Sequence, residues 1–150
     1  LCKDLESSVN SWIERLPPSS SFRYLYSKGM KKSHILFGLP QIQNKNFVCM
    51  TEGALDTIWL NQNGYDSVAT LGVYLSEIQI EKGIEYIKTG EVVLCFDNDE
   101  AGISATERIG NMLSKYFMVS KIAIPNEVKD VQDIRNVEQL HEVIRNRSFV

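Results

Sequence analysis

The chain has 150 residues, 43% hydrophobic and 23% charged, with a net charge of −3 from 16 Lys+Arg against 19 Asp+Glu; this fits one globular domain, or one domain with a small appendage, and leaves enough apolar mass for a core. The apolar runs, such as Ile35 to Pro40 and Val92 to Phe96, are only a handful of residues long, which excludes a bilayer-spanning helix. The Leu-Cys-Lys-Asp start carries no apolar leader, and Cys2, Cys49 and Cys95 form no Cys-x-x-Cys or Cys/His group suited to zinc.

Leu5, Val9, Trp12, Ile13 and Leu16 share one helical face, predicting a helix over 3–16 that ends at Pro17-Pro18 and three serines. Residues 22–26 read as extended, followed by a polar loop with Lys28, Lys31 and Lys32 and a short apolar stretch from Ile35 to Gly38. From residue 47 the pattern turns regular. Strands are expected at Phe47–Met50, Ser67–Leu71, Glu91–Phe96 and Met118–Ile124. Helices are expected at Ala54–Asn61, 76–88 and 101–116, and a last one around Val137, Leu140 and Ile144. Trp12 and Trp59 fall on apolar stripes and are expected in the core. The alternation predicts an α/β fold, a mostly parallel four-stranded sheet with helices on both faces. The organisation reads as a basic N-terminal segment, 1–46, and a regular α/β domain, 47–150. The chain starts in mid-pattern without Met and is expected to be a fragment of something longer.

The charge is split. Residues 1–46 carry seven Lys/Arg and three Asp/Glu, whereas residues 47–150 carry nine and sixteen. Sites in such sheets form beyond the carboxyl ends of strands, and three acidic stretches are expected there: Thr51-Glu52-Gly53 with Asp56 one turn later, Asp97-Asn98-Asp99-Glu100, and Lys129-Asp130-Val131-Gln132-Asp133. Gathered carboxylates repel one another unless a cation compensates, and hard oxygen donors suit Mg²⁺ or Mn²⁺. Asp97 and Asp99, two apart on an extended segment, point the same way and can face one ion. Glu52 adjoins them, as metal ligand or as general acid/base. Gly53 and Gly102 remove side chains where backbone must approach a neighbour or a phosphate. Taken singly, each acid reads equally as a helix cap or first-turn residue. His34 and His141 lie far apart, with nothing to orient either as a catalytic base. Phe22, Tyr24 and Tyr26 beside Arg23 read either as base-stacking residues or as a small extended core.

Thr-Glu-Gly-x-x-Asp (51–56), Ala69-Thr70-Leu71-Gly72, Phe-Asp-x-Asp-x-Ala-Gly (96–102) and Lys-Asp (129–130) resemble the TOPRIM domain, the metal-binding module shared by topoisomerases and primases. The match spans about residues 47–146. The Ala-Thr-Leu-Gly strand end, with Gly72, resembles the primase form. Arg23-Tyr24-Leu25-Tyr26-Ser27, and Lys32 six residues before Gly38, are similar to the basic stretch preceding TOPRIM in bacterial-type DNA primases, with wording near that of phage primases and primase-helicases.

The resemblance implies catalytic roles for Glu52, Asp97 and Asp99, and a Mg²⁺ (or Mn²⁺) site built from Glu52, Asp56, Asp97, Asp99 and Asp130. Arg23, Lys28, Lys32 and Lys129 would contact nucleotide or DNA phosphates. The implied activity is RNA primer synthesis by a cytoplasmic enzyme of a bacterial or phage-infected cell. Its partners would be a single-stranded DNA template, nucleoside triphosphates and a replicative helicase, fused or separate, with no membrane. A TOPRIM nuclease, or a non-enzymatic TOPRIM-like nucleic-acid-binding module, would draw on the same motifs. The sequence departs from the family at Gln132, where many bacterial primases carry a second acid, and in its shorter basic stretch.

Overall fold

The computed structural model describes residues 2–3 and 9–150, with backbone alone at 2, 3, 9 and 10. In chain order the strands and helices are β1 (Cys2–Lys3), β2 (Val9–Ser11), β3 (Ile13–Arg15), β4 (Tyr24–Tyr26), β5 (Val48–Thr51), α1 (Ala54–Gln62), β6 (Ser67–Ala69), α2 (Glu77–Tyr86), β7 (Glu91–Cys95), α3 (Glu100–Leu113), β8 (Met118–Lys121), α4 (Val137–Arg145) and β9 (Ser148–Phe149). No helix among the described residues is long and apolar enough to cross a membrane.

The main sheet runs β6-β5-β7-β8-β9. The first four strands are parallel and β9 is antiparallel to β8. The sheet thus has five strands instead of the expected four, because two residues past α4 fold back onto the β8 edge. Every residue of β5 is buried, as are four of five in β7, the pattern of strands covered on both faces. On one face α2 and α3 bring Ile87, Ala105, Ile109 and Leu113 against Val48, Met50, Val92 and Leu94. On the other, α1 and α4 bring Leu60, Leu140 and Ile144 against Cys49, Val93 and Cys95. The caps were encoded locally: Ser76 and Gln79 form a capping box on α2, Asp99 caps α3 and Asn136 caps α4.

The expected helix over 3–16 is corrected. From residue 9 onward the segment forms strands, and residues 4–8, including Leu5, lie outside the described residues. β3 pairs with β4 through Ile13↔Tyr26, Glu14↔Leu25 and Arg15↔Tyr24. Apolar positions 9, 12, 13 and 16 fit a helical period, but β-branched Val9 and Ile13 also suit a strand. The Pro17-Pro18 turn supplies a partner strand close in sequence, and pairing decides the outcome. Trp12 is consequently 38% exposed and not in the core, whereas Trp59 is half-buried against the α1–α4 face.

Two polar devices join the parts. Gln79 is buried and its amide nitrogen donates to the carbonyls of Lys32, Ile35 and Thr70 at 3.2, 2.8 and 3.0 Å. It thereby ties the basic segment to the end of β6. A small apolar cluster of Ala54, Ala69 and Leu71, with Ile13, Met30, Ile35 and Phe37 against it, reinforces that junction. At the opposite edge Arg147 grips Glu91 with two nitrogens, at 2.7 and 2.9 Å, and lies 4.5 Å from the Phe47 ring.

Replacing Gln79 with Leu leaves three carbonyls without their donor and is expected to cost at least about 3 kcal/mol, measured by urea unfolding, with faster tryptic cleavage at Lys28, Lys31 and Lys32. Arg147→Met is expected to cost about 1–2 kcal/mol at pH 7. Arg147 holds the Glu91 carboxyl below its ordinary value. That stabilisation is therefore present above the usual carboxylate range and lost as pH falls through the lowered value. The gap between wild type and Arg147→Met should narrow in acid; a gap that widens there would contradict the pairing.

Candidate active site

The strand order places β6 and β7 on opposite sides of β5, so the chain reverses its winding direction between β5 and β7. In an open parallel sheet this switch point leaves a crevice beyond the carboxyl ends of the two strands. Thr51 and Cys95, adjacent across the ladder, deliver Glu52 and Asp97 to that crevice. It forms a cleft of about 490 Å³ whose floor and one wall include Glu52, Asp56, Asp97, Lys129, Asp130 and Gln132. Arg15, Arg23, Tyr24 and Tyr26 of the basic segment line the facing wall, and Gly72 and Arg135 complete its edges.

The acidic loops interlock through backbone. The Asp97 N–H donates to Glu52 Oε1 at 3.3 Å, and the Asn98 N–H donates to the Lys129 carbonyl at 2.7 Å. The Gly72 N–H donates to the Glu52 carbonyl at 3.1 Å. Gly102 is obligatory: a Cβ there would overlap the Asp97 carbonyl and come within 2.9 Å of Glu52 Oε1. Gly53 is less constrained: a Cβ there would meet only a side chain, Asp56 Oδ2 at 2.5 Å, and would displace that carboxylate. Leu71, buried at the cleft edge, holds φ at 61°, a left-handed conformation rare for a branched residue and of a kind that clusters at functional sites.

The electrostatics follow from crowding. Burial, and then the Asp97 carboxylate, push the Glu52 pKa up to about 7. Burial, with Asp130 and Asp97 nearby, pushes Asp56 up to about 7 although the Gln132 N–H donates to it. Burial and Asp133 raise Asp130. One cation answers this charge directly: the Lys129 ammonium lies 2.5 Å from Asp97 Oδ2 and 3.9 Å from Asp99 Oδ2. Asp99 divides its oxygens, with Oδ1 accepting from the Gly102 N–H at 2.9 Å to cap α3 and Oδ2 turned towards Lys129. Asp99 thus caps α3 and faces Lys129, and it is not among the residues that line the cleft.

Among the described residues, no three His, Cys, Asp or Glu side chains converge closely enough to enclose an ion. The donor set nonetheless fits Mg²⁺ or Mn²⁺ in kind: hard carboxylate oxygens gathered at one sheet edge. Of the basic residues singled out by sequence, Arg23 and Lys129 reach the cleft. Lys28 and Lys32 are not among its lining residues; Lys32 sits 5.1 Å from the ring of Tyr26, which does line it. Arg15 and Arg135 were missed. Arg15 donates to the Tyr24 hydroxyl at 2.9 Å with its guanidinium 5.0 Å from that ring. It was invisible because the segment read as a helix. Arg135 rests 5.8 Å from the Trp59 ring, and no motif marks it. Tyr24 and Tyr26, left open between stacking and core, are half-buried on the cleft wall.

A carboxyl whose pKa is raised by folding stabilises the fold below its unfolded value and loses that contribution as pH rises through its folded value. Asp56→Asn keeps the acceptor for Gln132 and removes the charge. With a chelator present it is expected to raise stability at pH 8 by at least about 1 kcal/mol and to change little at pH 4, measured by thermal unfolding. Equal effects at both values would contradict the crowding described here.

Residues 49–135 match the Toprim-like family model. The chain is 38% identical over 114 residues to a DNA primase of Synechocystis, covering 71% of this chain and 18% of that protein. Its structure superposes on the Aquifex aeolicus primase zinc-binding and RNA polymerase domains with a TM-score of 0.81 at 26% identity, covering 99% of this chain and 40% of that one. It shares the fold of a DnaG primase catalytic domain bound to single-stranded DNA, with a TM-score of 0.82 at 21% identity over 99% of this chain and 50% of that one. The chain spans less than a fifth of the curated relatives it matches. It belongs to the Toprim-like family and resembles the TOPRIM domain of DNA primases.

Proposed function

We propose that this chain is the catalytic core fragment of a DNA primase, joining ribonucleotides into a primer on single-stranded DNA. One observation carries the reading: a single cleft sets the crowded carboxylates of the sheet edge against the arginines and tyrosines of the basic segment. A site built only to cap helices has no use for the second wall. A site for a metal-bound triphosphate and a template strand needs both. The primase names of the sequence relatives agree with it.

In this reading Asp97 and Asp99 hold Mg²⁺ or Mn²⁺, with Glu52, Asp56 and Asp130 completing the acidic surround. The ion, when bound, neutralises triphosphate charge and acidifies the attacking hydroxyl. Arg23 and Arg15 draw the triphosphate to the facing wall, while Tyr24 and Tyr26 offer aromatic faces to a base. Glu52, with Oε1 fixed by the Asp97 N–H and a pKa near 7, has Oε2 free of that bond to take the proton of the 3′-hydroxyl. Lys28 and Lys32 act outside the cleft, on the path of the strand. Gln132 places a neutral amide in this surround, with its main-chain N–H donating to Asp56 Oδ1 at 3.3 Å. A replicative helicase, fused or separate, would deliver the template, and the setting would be a bacterial or phage-infected cytoplasm.

The test is template-directed synthesis on single-stranded DNA with Mg²⁺ and nucleoside triphosphates. Glu52→Gln and Asp97→Asn are each expected to lower it at least about 100-fold, with folding checked by circular dichroism. Full activity in either variant removes the assigned role. Shortening of a labelled strand in the absence of triphosphates would identify a nuclease instead.

A further inference from the structure

The carboxylate best placed to take an ion already holds a cation of the protein itself. Lys129 Nζ sits on Asp97 Oδ2 and faces Asp99 Oδ2, and these oxygens belong to the two residues assigned to the metal. Its place is fixed by more than charge, because the Asn98 N–H donates to the Lys129 carbonyl at 2.7 Å and clamps the two loops together. The Asp97 side chain is only 15% exposed while that of Lys129 is 49% exposed. The carboxylate is therefore set in the floor, and the ammonium lies over it on a flexible stem open to the cleft. Arg23 stands on the facing wall, close enough to oppose the positive charge of Lys129. An ammonium pushed off Asp97 thus has Arg23 as its neighbour, and two cations left facing one cleft call for an anion between them.

We infer that Lys129 is a resident counter-ion that exchanges partners. It neutralises Asp97 in the empty site, leaves when a divalent ion takes that carboxylate, and then joins Arg23 on the phosphates of the nucleotide. The inference rests on the metal-dependent reading above. It gives one side chain two opposed effects, competing with metal and assisting nucleotide. A lysine that merely braced the loop would support both.

The experiment uses the 150-residue chain and two titrations, Mn²⁺ alone followed by paramagnetic resonance and preformed Mn²⁺·ATP followed by calorimetry, on wild type, Lys129→Met, Lys129→Arg and Asp97→Asn. The main-chain clamp to Asn98 survives each Lys129 substitution. Lys129→Met is expected to bind Mn²⁺ about three- to tenfold more tightly and Mn²⁺·ATP about tenfold more weakly, with Lys129→Arg near wild type and Asp97→Asn weak in the Mn²⁺ titration. Unchanged Mn²⁺ affinity in Lys129→Met, or a fall in both affinities together, overturns the exchange while leaving the metal reading in place. Absence of Mn²⁺ binding in both wild type and Lys129→Met overturns the metal reading and the exchange with it.

Discussion

Mutual repulsion among carboxylates at one sheet edge is the constraint on which the rest of this structure turns. Parallel topology delivers Glu52 from β5 and Asp97 from β7 to the same crevice, and α1 and the turn before α4 add Asp56 and Asp130. Burial then removes the water that would screen them. Without another ion the molecule has two relieving responses, protonation and its own cations. Burial and like charge push the Glu52 and Asp56 pKa values up to about 7, and Lys129 lies on Asp97. Both are responses a divalent ion would replace, which is why strain at this edge points towards a ligand. Stability alone would be better served by fewer acids.

The same edge explains the basic segment. The sheet would form without Arg15, Arg23, Tyr24 and Tyr26, yet the segment is anchored to it by buried polar and apolar contacts. Gln79 spends its amide on three carbonyls from both sides of the junction, and Leu71 accepts a left-handed backbone within the cluster against which Ile13 and Met30 pack. The segment that carries the arginines and tyrosines of the cleft is thus tied to the sheet by its own contacts. A positioned wall of arginine and tyrosine serves a charged, planar ligand far better than a loose basic tail would, because little ordering remains to be done on binding.

Much of this was legible in the sequence. The five-residue run at β7 is a local signal that the structure follows to within a residue, and Asp99 caps α3 as its place before a helix allowed, whereas the caps at Ser76 and Asn136 emerge only from the structure. Glu52, Asp97 and Asp99 were readable because each follows a strand, and strand ends are where such sheets place chemistry. The segment from residue 9 to 16 misled because its apolar spacing satisfies two periods, and the partner that decides between them, Tyr24–Tyr26, lies across a proline turn. β9 escaped notice because two residues carry no periodicity, and its pairing is secured by Arg147 reaching back to Glu91. Arg15 and Arg135 are cleft residues only through tertiary contacts, and no local pattern announces them.

The central claim is that the crowded edge is a divalent-cation site completed by the opposing basic wall. Diffraction from crystals grown with Mn²⁺ and a non-hydrolysable nucleoside triphosphate, recorded at the manganese absorption edge, tests it most directly. The account predicts an anomalous peak between the Asp97 and Asp99 carboxylates with phosphate density reaching towards Arg23. A peak elsewhere on the molecule, or a nucleotide bound away from this cleft, would contradict it.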